Sequence, residues 1–295
     1  MMFNNTGSTC EGTPGQFHCT TGEQQNGHKP IEIYAFIDPL CPECWGLEPF
    51  MKKLLLEYGQ YFTLRYLIVG RLDSSDRKVV KKIADQWEKI AGLTGMSCDG
   101  DVWYNFPPSS YKISVAIKAA ELQGKPAGFR FLRRVREKLF LEKQNINADA
   151  VLLDCAKTAK LDIEEFEKDI SSNGPIKSLQ CDRRMACEMD VSSFPTLVFF
   201  NADIEKEGIK VTGRYPFDVY VQILSEMLGE KPVPKEPPEL EAFLKKYHLV
   251  ATKELAVVYN LSEQEVRREM KKLKLKQVVE AVPVKYGTFW RYNGE

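Results

Sequence analysis

Short unbroken apolar runs and helical stripes alternate along the first part of this chain. Ile31-Glu32-Ile33-Tyr34-Ala35-Phe36-Ile37 predicts a buried strand, and Phe62–Val69 predicts a second. Between them, from Cys41 to about Tyr58, the residues Leu47, Phe50, Met51, Leu54 and Leu55 fall on one helical stripe. Strand, helix, strand is a βαβ opening and implies a parallel pair.

Strand signal then disappears from about 73 to 190. Helical patterns occupy 78–91, 110–123, 127–139, 148–159, 162–171 and 175–189, with Asn147 and Asp162 as expected caps. The aromatic, turn-rich stretch Ser97–Pro108 interrupts them and predicts an ordered loop. At Val191–Phe200 a loop containing Pro195 leads into another buried strand. A turn near Asn201-Ala202-Asp203 and a strand at Ile209–Thr212 complete a hairpin, and a helix closes the unit over Pro216–Leu228.

Residues 229–238 hold four prolines in ten positions, which predicts a semi-rigid linker. Beyond it come helical patterns at 239–248, 252–259 and 262–273, the last opened by the capping box Ser262-Glu263-Gln264-Glu265. Strands at about 277–284 and 288–292 follow, joined near Tyr286-Gly287. Three helices and a hairpin are the order of a winged helix-turn-helix. The expected division is a Cys/His-containing segment 1–28, an α/β unit 29–229 with a helical insert at about 73–190, the linker 230–238 and a winged-helix-like α+β domain 239–295.

The 295 residues suffice for two domains, and 43% hydrophobic, 11% aromatic and 28% charged residues describe ordinary globular protein. Lys plus Arg and Asp plus Glu number 41 each, which argues against a dedicated nucleic-acid binder. Residues 239–295 carry a net charge of only +3, weak for neutralising several phosphates. No run reaches the roughly 18 apolar residues of a membrane span, and the polar N-terminus lacks a secretory apolar segment. A cytoplasmic protein with mostly reduced thiols is expected.

The chemistry concentrates in Cys41-Pro42-Glu43-Cys44, at an expected helix start. A helix N-terminus favours the thiolate of the first cysteine, making Cys41 the attacking and Cys44 the resolving thiol of a redox pair. The competing reading is a scaffold feature without catalytic duty. Cys10, His18, Cys19 and His28 supply zinc-type ligands, although without the spacing of a tight knuckle. Cys181 and Cys187 lie about 240° apart around a helix and cannot bridge within it. Core packing is expected for both, and for Cys98 and Cys155. Trp45, Trp103, Tyr104, Phe106 and Phe194 are candidates for partner binding, because aromatic residues concentrate at hot spots. The alternative for the rings in the loop is packing of the insert onto the α/β unit. Of the three histidines, His28 and His248 lie beside no nucleophile in sequence, and His18 adjoins only Cys19 of the zinc-type set.

The element order, the CxxC at the first helix and Pro195 before the third strand resemble the DsbA family of thioredoxin folds, in particular its FrnE-like branch. The resemblance implies that Pro195 is cis and faces the CxxC. DsbA carries Pro-His between its cysteines; here Glu43 is acidic, so a higher Cys41 pKa and a less oxidising couple are expected. The motifs Phe36–Trp45, Gly95–Gly100, Lys118–Gly124, Leu179–Asp182 and Glu269–Leu273 narrow the resemblance to the YjbH/SpxH adapter family, over nearly the whole chain. That resemblance implies binding of the transcription factor Spx and its degradation by ClpXP, with ClpX contact, no required cofactor and zinc at the N-terminal segment. The rival expectation is a cytoplasmic thiol–disulfide oxidoreductase using Cys41 and Cys44. A third is a regulator whose thiol or zinc state tunes adapter activity.

Overall fold

In the computed structural model, which describes residues 29–70, 77–201 and 208–294, the βαβ opening closes as its pattern requires. Strand β1 (Ile31–Ile37) pairs parallel with β2 (Phe62–Ile68), in register from Ile31 opposite Phe62 to Ile37 opposite Ile68. Helix α1 (Pro42–Tyr58) makes the crossover. Strands β3 (Thr196–Asn201) and β4 (Ile209–Thr212) join antiparallel, and the sheet order is β2-β1-β3-β4. Ile31, Ile33, Ala35, Leu197 and Phe199 are fully buried in the main core. The turn expected at 201–203 falls largely outside the described residues.

The strandless region is a set of helices: α2 (Arg77–Thr94), α3 (Val102–Asn105), α4 (Ser110–Leu122), α5 (Lys125–Phe140), α6 (Asp149–Thr158), α7 (Ile163–Ile170) and α8 (Asn173–Glu188). Asp162 caps α7 by accepting from Glu165 N. Asn147 departs from expectation. The α6 N-cap is Ala148, and the Asn147 side chain instead accepts from Ser109 N and donates to Pro107 O, pinning the junction of the aromatic loop and α4 to the chain before α6. That loop contains the single turn α3, which lacked enough length to show a helical period. Cys98 and Cys155 are fully buried. Cys187 is exposed and Cys181 half-buried, against the core-packing expectation, because α8 turns only its Pro175, Leu179, Asp182 and Ala186 positions inward. Cys187 is disulfide-bonded, and Cys181 is not its partner.

A buried lysine fastens the insert to the sheet. Lys118 Nζ on α4 donates to Asp182 on α8 at 2.7 Å and to Glu121 at 2.6 Å, and Asp182 accepts from Ile68 N at the end of β2. Close approach of α1 and α2 depends on Gly46: a Cβ there would lie 2.5 Å from Thr94 Cγ2.

Helix α9 (Phe217–Leu228) packs on α1 through Phe217, which meets Phe50 and Tyr58, and ends on left-handed Gly229. The proline-rich stretch is strapped to the end of α1: Lys235 N donates to Glu57 O, and Val233 N donates to the Tyr61 hydroxyl. The C-terminal unit contains α10 (Leu240–Tyr247), β5 (Leu249–Ala251), α11 (Thr252–Val258), α12 (Glu263–Leu275), β6 (Val279–Pro283) and β7 (Thr288–Tyr292). Ser262 and Glu265 form the expected capping box of α12. The antiparallel order β5-β7-β6 completes a winged-helix topology. Strand β5 had no signal of its own, since three residues show no period.

Candidate functional site

The thiol pair sits where the sheet meets the insert. Asp38 Oδ1 accepts from Leu40 N, and Asp38 O accepts from Cys41 N, so the turn after β1 delivers Cys41 to the N-cap of α1. Cys41 Sγ accepts from Cys44 N at 3.4 Å and donates to Phe194 O at 3.5 Å. The Phe194–Pro195 bond is cis, and the Phe194 carbonyl on its N-terminal side is the group that meets Cys41 Sγ. Arg136, buried on α5, holds this turn by donating to Pro39 O and Asp38 O while pairing with Glu48 on α1. Neither composition nor spacing singles out Arg136; its role requires the insert to fold back over the turn.

Both thiols are buried, Cys41 with 8% and Cys44 with 3% of its surface exposed. Burial, then the hydrogen bond its S–H donates to the Cys41 sulfur, pushes the Cys44 thiol well up. Glu43 does not act on the sulfur as an isolated carboxylate. Arg214, just after β4, reaches it with Nε 3.4 Å from Oε2 and offsets its charge.

Trp45 was a candidate for partner binding, and its burial removes it: no part of it is exposed. Its ring stacks on Phe289 of β7, centroids 6.2 Å apart and planes 3° apart, and tilts against Phe140. The Arg133 guanidinium lies over the same ring at 4.5 Å, and Trp45 Nε1 donates to Ser97 O. Trp103 is likewise buried, edge-on to Trp87 at 5.4 Å, so it packs the insert. Phe106 is partly buried against the main core, and Phe194 lies between that core and a smaller cluster with Phe36 and Val198. Tyr104 is 57% exposed and stays available to a partner.

An ion network surrounds Trp45. Arg133 on α5 pairs with Glu48 on α1, Glu137 on its own helix and Glu254 on α11, and donates to Leu249 O. Lys52 on α1 also pairs with Glu254. Burial alone would raise the Glu254 carboxyl; Arg133 and Lys52 outweigh it and hold the pKa at about 2. The wing tip docks as well, with Lys285 Nζ 2.8 Å from Glu88, the Tyr286 hydroxyl on the same carboxylate and Tyr286 N donating to Ser97 Oγ. A cleft of about 510 Å³ opens beside it, lined by Ser97, Asp99, Phe140, Lys143 and Lys285. Its lysines pair with Asp99 and Glu88.

Cys10, His18, Cys19 and His28 lie outside the described residues. Among the described residues no group of three or more His, Cys, Asp or Glu side chains gathers in a metal-binding arrangement. No described helix is long and apolar enough to cross a membrane.

These features define a DsbA-type thioredoxin-fold protein with a winged-helix unit docked onto its CxxC helix. A thioredoxin family model matches residues 34–222. The fold resembles the cytosolic disulfide reductase DsbM of Pseudomonas aeruginosa, with TM-score 0.51 and 18% identity over 67% of this chain and 95% of that one. It also resembles a disulfide-isomerase candidate from Nitrosomonas europaea, with TM-score 0.60 and 18% identity over 68% and 98%. These alignments leave about a third of the chain unmatched. The ClpXP adapter protein SpxH of Halalkalibacterium halodurans is 52% identical over 92% of this chain and 91% of its own length. SpxH of Bacillus subtilis is 52% identical over 90% and 91%. The chain belongs to the SpxH family.

Proposed function

We propose that this chain is a cytoplasmic, non-catalytic adapter that binds the transcription factor Spx and promotes its degradation by ClpXP. The observation that carries the reading is identity of about half over nine-tenths of proteins named ClpXP adapter protein SpxH. The geometry is consistent with it. A redox enzyme must present its first cysteine to a substrate disulfide, whereas Cys41 is nearly buried and turned to the Phe194 carbonyl. The helix carrying the thiols is covered by α11 and locked through Glu254.

In this reading the thioredoxin-like unit and its insert form the docking surface. Tyr104 on the insert, and Tyr215 next to the Glu43–Arg214 pair, supply exposed aromatic area there. An adapter accelerates proteolysis only if it binds the protease-ready conformation of its target more tightly than the alternatives. Peptide cleavage itself belongs to the protease.

A thiol–disulfide oxidoreductase is the second reading, favoured by the N-cap position of Cys41 against the Phe194 carbonyl of the cis Phe194–Pro195 bond. Reconstituted ClpXP and Spx separate the two. Acceleration of Spx degradation is expected to be equal for wild type and Cys41→Ala/Cys44→Ala. Loss of acceleration in the variant, with turnover of a disulfide substrate by wild type, would establish the enzyme instead.

A further inference from the structure

The winged-helix unit leaves one face of its third helix uncovered. On α12, Val266 and Met270 enter the unit's core. At about 100° per residue, Gln264, Arg268, Lys271 and Leu275 form the opposite ridge. Leu275 is 86% exposed, more than any other large hydrophobic side chain among the described residues. Lys271, Lys274 and Lys276 are exposed around it, and none forms an ion pair among the described residues. Earlier on the helix, Glu263 pairs with Arg267, and Glu269 pairs with Lys272 and lies near Arg268. Unneutralised charge therefore collects at the C-terminal end, around an exposed leucine. The helix dipole accounts for cations in the last turn and leaves the leucine unexplained.

We propose that the end of α12, Lys271, Lys274, Leu275 and Lys276, is a docking surface for an acidic segment of a protein partner. Its carboxylates would meet the lysines, and an apolar residue among them would cover Leu275. This surface is distinct from the thiol face and does not rest on the adapter reading.

Nucleic acid fits less well for two reasons. The wing tip is spent inside the molecule, with Lys285 and Tyr286 held by Glu88 and Ser97. In addition, the N-terminal residues of a recognition helix are those that meet base edges, and here that turn carries Glu263 and Glu265.

The test uses the full chain and a fluorescent peptide of about 12 residues, alternating glutamate pairs with leucine, followed by anisotropy. Saturable binding is expected. It should weaken about tenfold in Lys271→Glu/Lys274→Glu and be unchanged in Lys177→Glu, an exposed lysine on α8. Leu275→Ser should weaken it severalfold, and raising salt from about 50 to about 500 mM should weaken it further. The proposal is overturned by the absence of saturable binding or by binding indifferent to the Lys271/Lys274 reversal. Tighter binding of a DNA duplex of about 20 bp than of the peptide overturns it too.

Discussion

Trp45, the residue after the second cysteine of the CxxC, stacks parallel and offset on Phe289 of the last strand of the winged-helix unit, ring centroids 6.2 Å apart. The redox-motif helix and the C-terminal unit thus share one core, and Leu249, Ala251 and Phe289 belong to the same buried cluster as the thiols. A tail that only swung on a linker would bury none of these.

Removing this contact should loosen both units together. Phe289→Ala takes a fully buried ring from the junction and should cost about 3–5 kcal/mol of stability. Denaturant unfolding monitored by tryptophan fluorescence checks it. A midpoint unchanged from wild type would mean that the two units do not depend on this stack.

Glu254 makes the junction sensitive to acid. Its pKa of about 2 in the folded protein lies below the roughly 4.3 of an unfolded glutamate. Its contribution to stability is complete above the unfolded value and is lost as pH falls from about 4.3 toward 2. Glu254→Gln leaves Arg133 and Lys52 without their shared partner and should cost about 3 kcal/mol at neutral pH. The difference between variant and wild type should shrink on acidification across that window. A constant difference from pH about 7 to about 3 would contradict the assignment.

Gly46 should not tolerate a methyl group, because Thr94 cannot move aside. The Thr94 hydroxyl donates to Ile90 O and accepts from Met96 N, which fixes its methyl toward α1. Gly46→Ala should destabilise by about 1–3 kcal/mol. Adding Thr94→Ser, which removes that methyl and keeps the hydroxyl, should recover part of the loss. Thermal melts of the single and double variants decide it, and simple additivity would rule out the clash.

The thiols should differ sharply in reactivity. Burial pushes the Cys155 thiol up to about 12 and raises Cys98 and Cys44 as well, whereas Cys181 is partly exposed. At pH about 8, alkylation of Cys181 should outpace that of Cys98 and Cys155 by about a hundredfold or more. Peptide mapping by mass spectrometry reads this directly. Equal rates would show that the insert opens readily.

Much of the architecture is legible locally. The strand runs at 31–37 and 62–69, the CxxC at the α1 start, the Ser262–Glu265 box and the helical stripes each depend on neighbours a few residues apart. Elements with little local signal were missed or misassigned. Strand β5 spans three residues and α3 four, too short for periodicity. Asn147 has a capping residue's chemistry, but its partners are Ser109 and Pro107, far away in sequence.

The site divides in the same way. Cys41, Cys44 and Pro195 could be named from motif and resemblance, because their spacing along the chain carries the signal. Whether an aromatic residue meets a partner or a core depends on what the remote chain lays over it. Tertiary structure therefore decided that Trp45 and Trp103 are interior while Tyr104 is exposed. It also turned the wing inward, onto Glu88 and Ser97. Apart from β5 and α3, the elements, their order and the thiol pair follow from the sequence alone, written in short-range periodicity and capping. The closed junction between α1, α5 and α11 needed the fold, because only a folded chain brings Glu48, Arg133 and Glu254 within ion-pair reach.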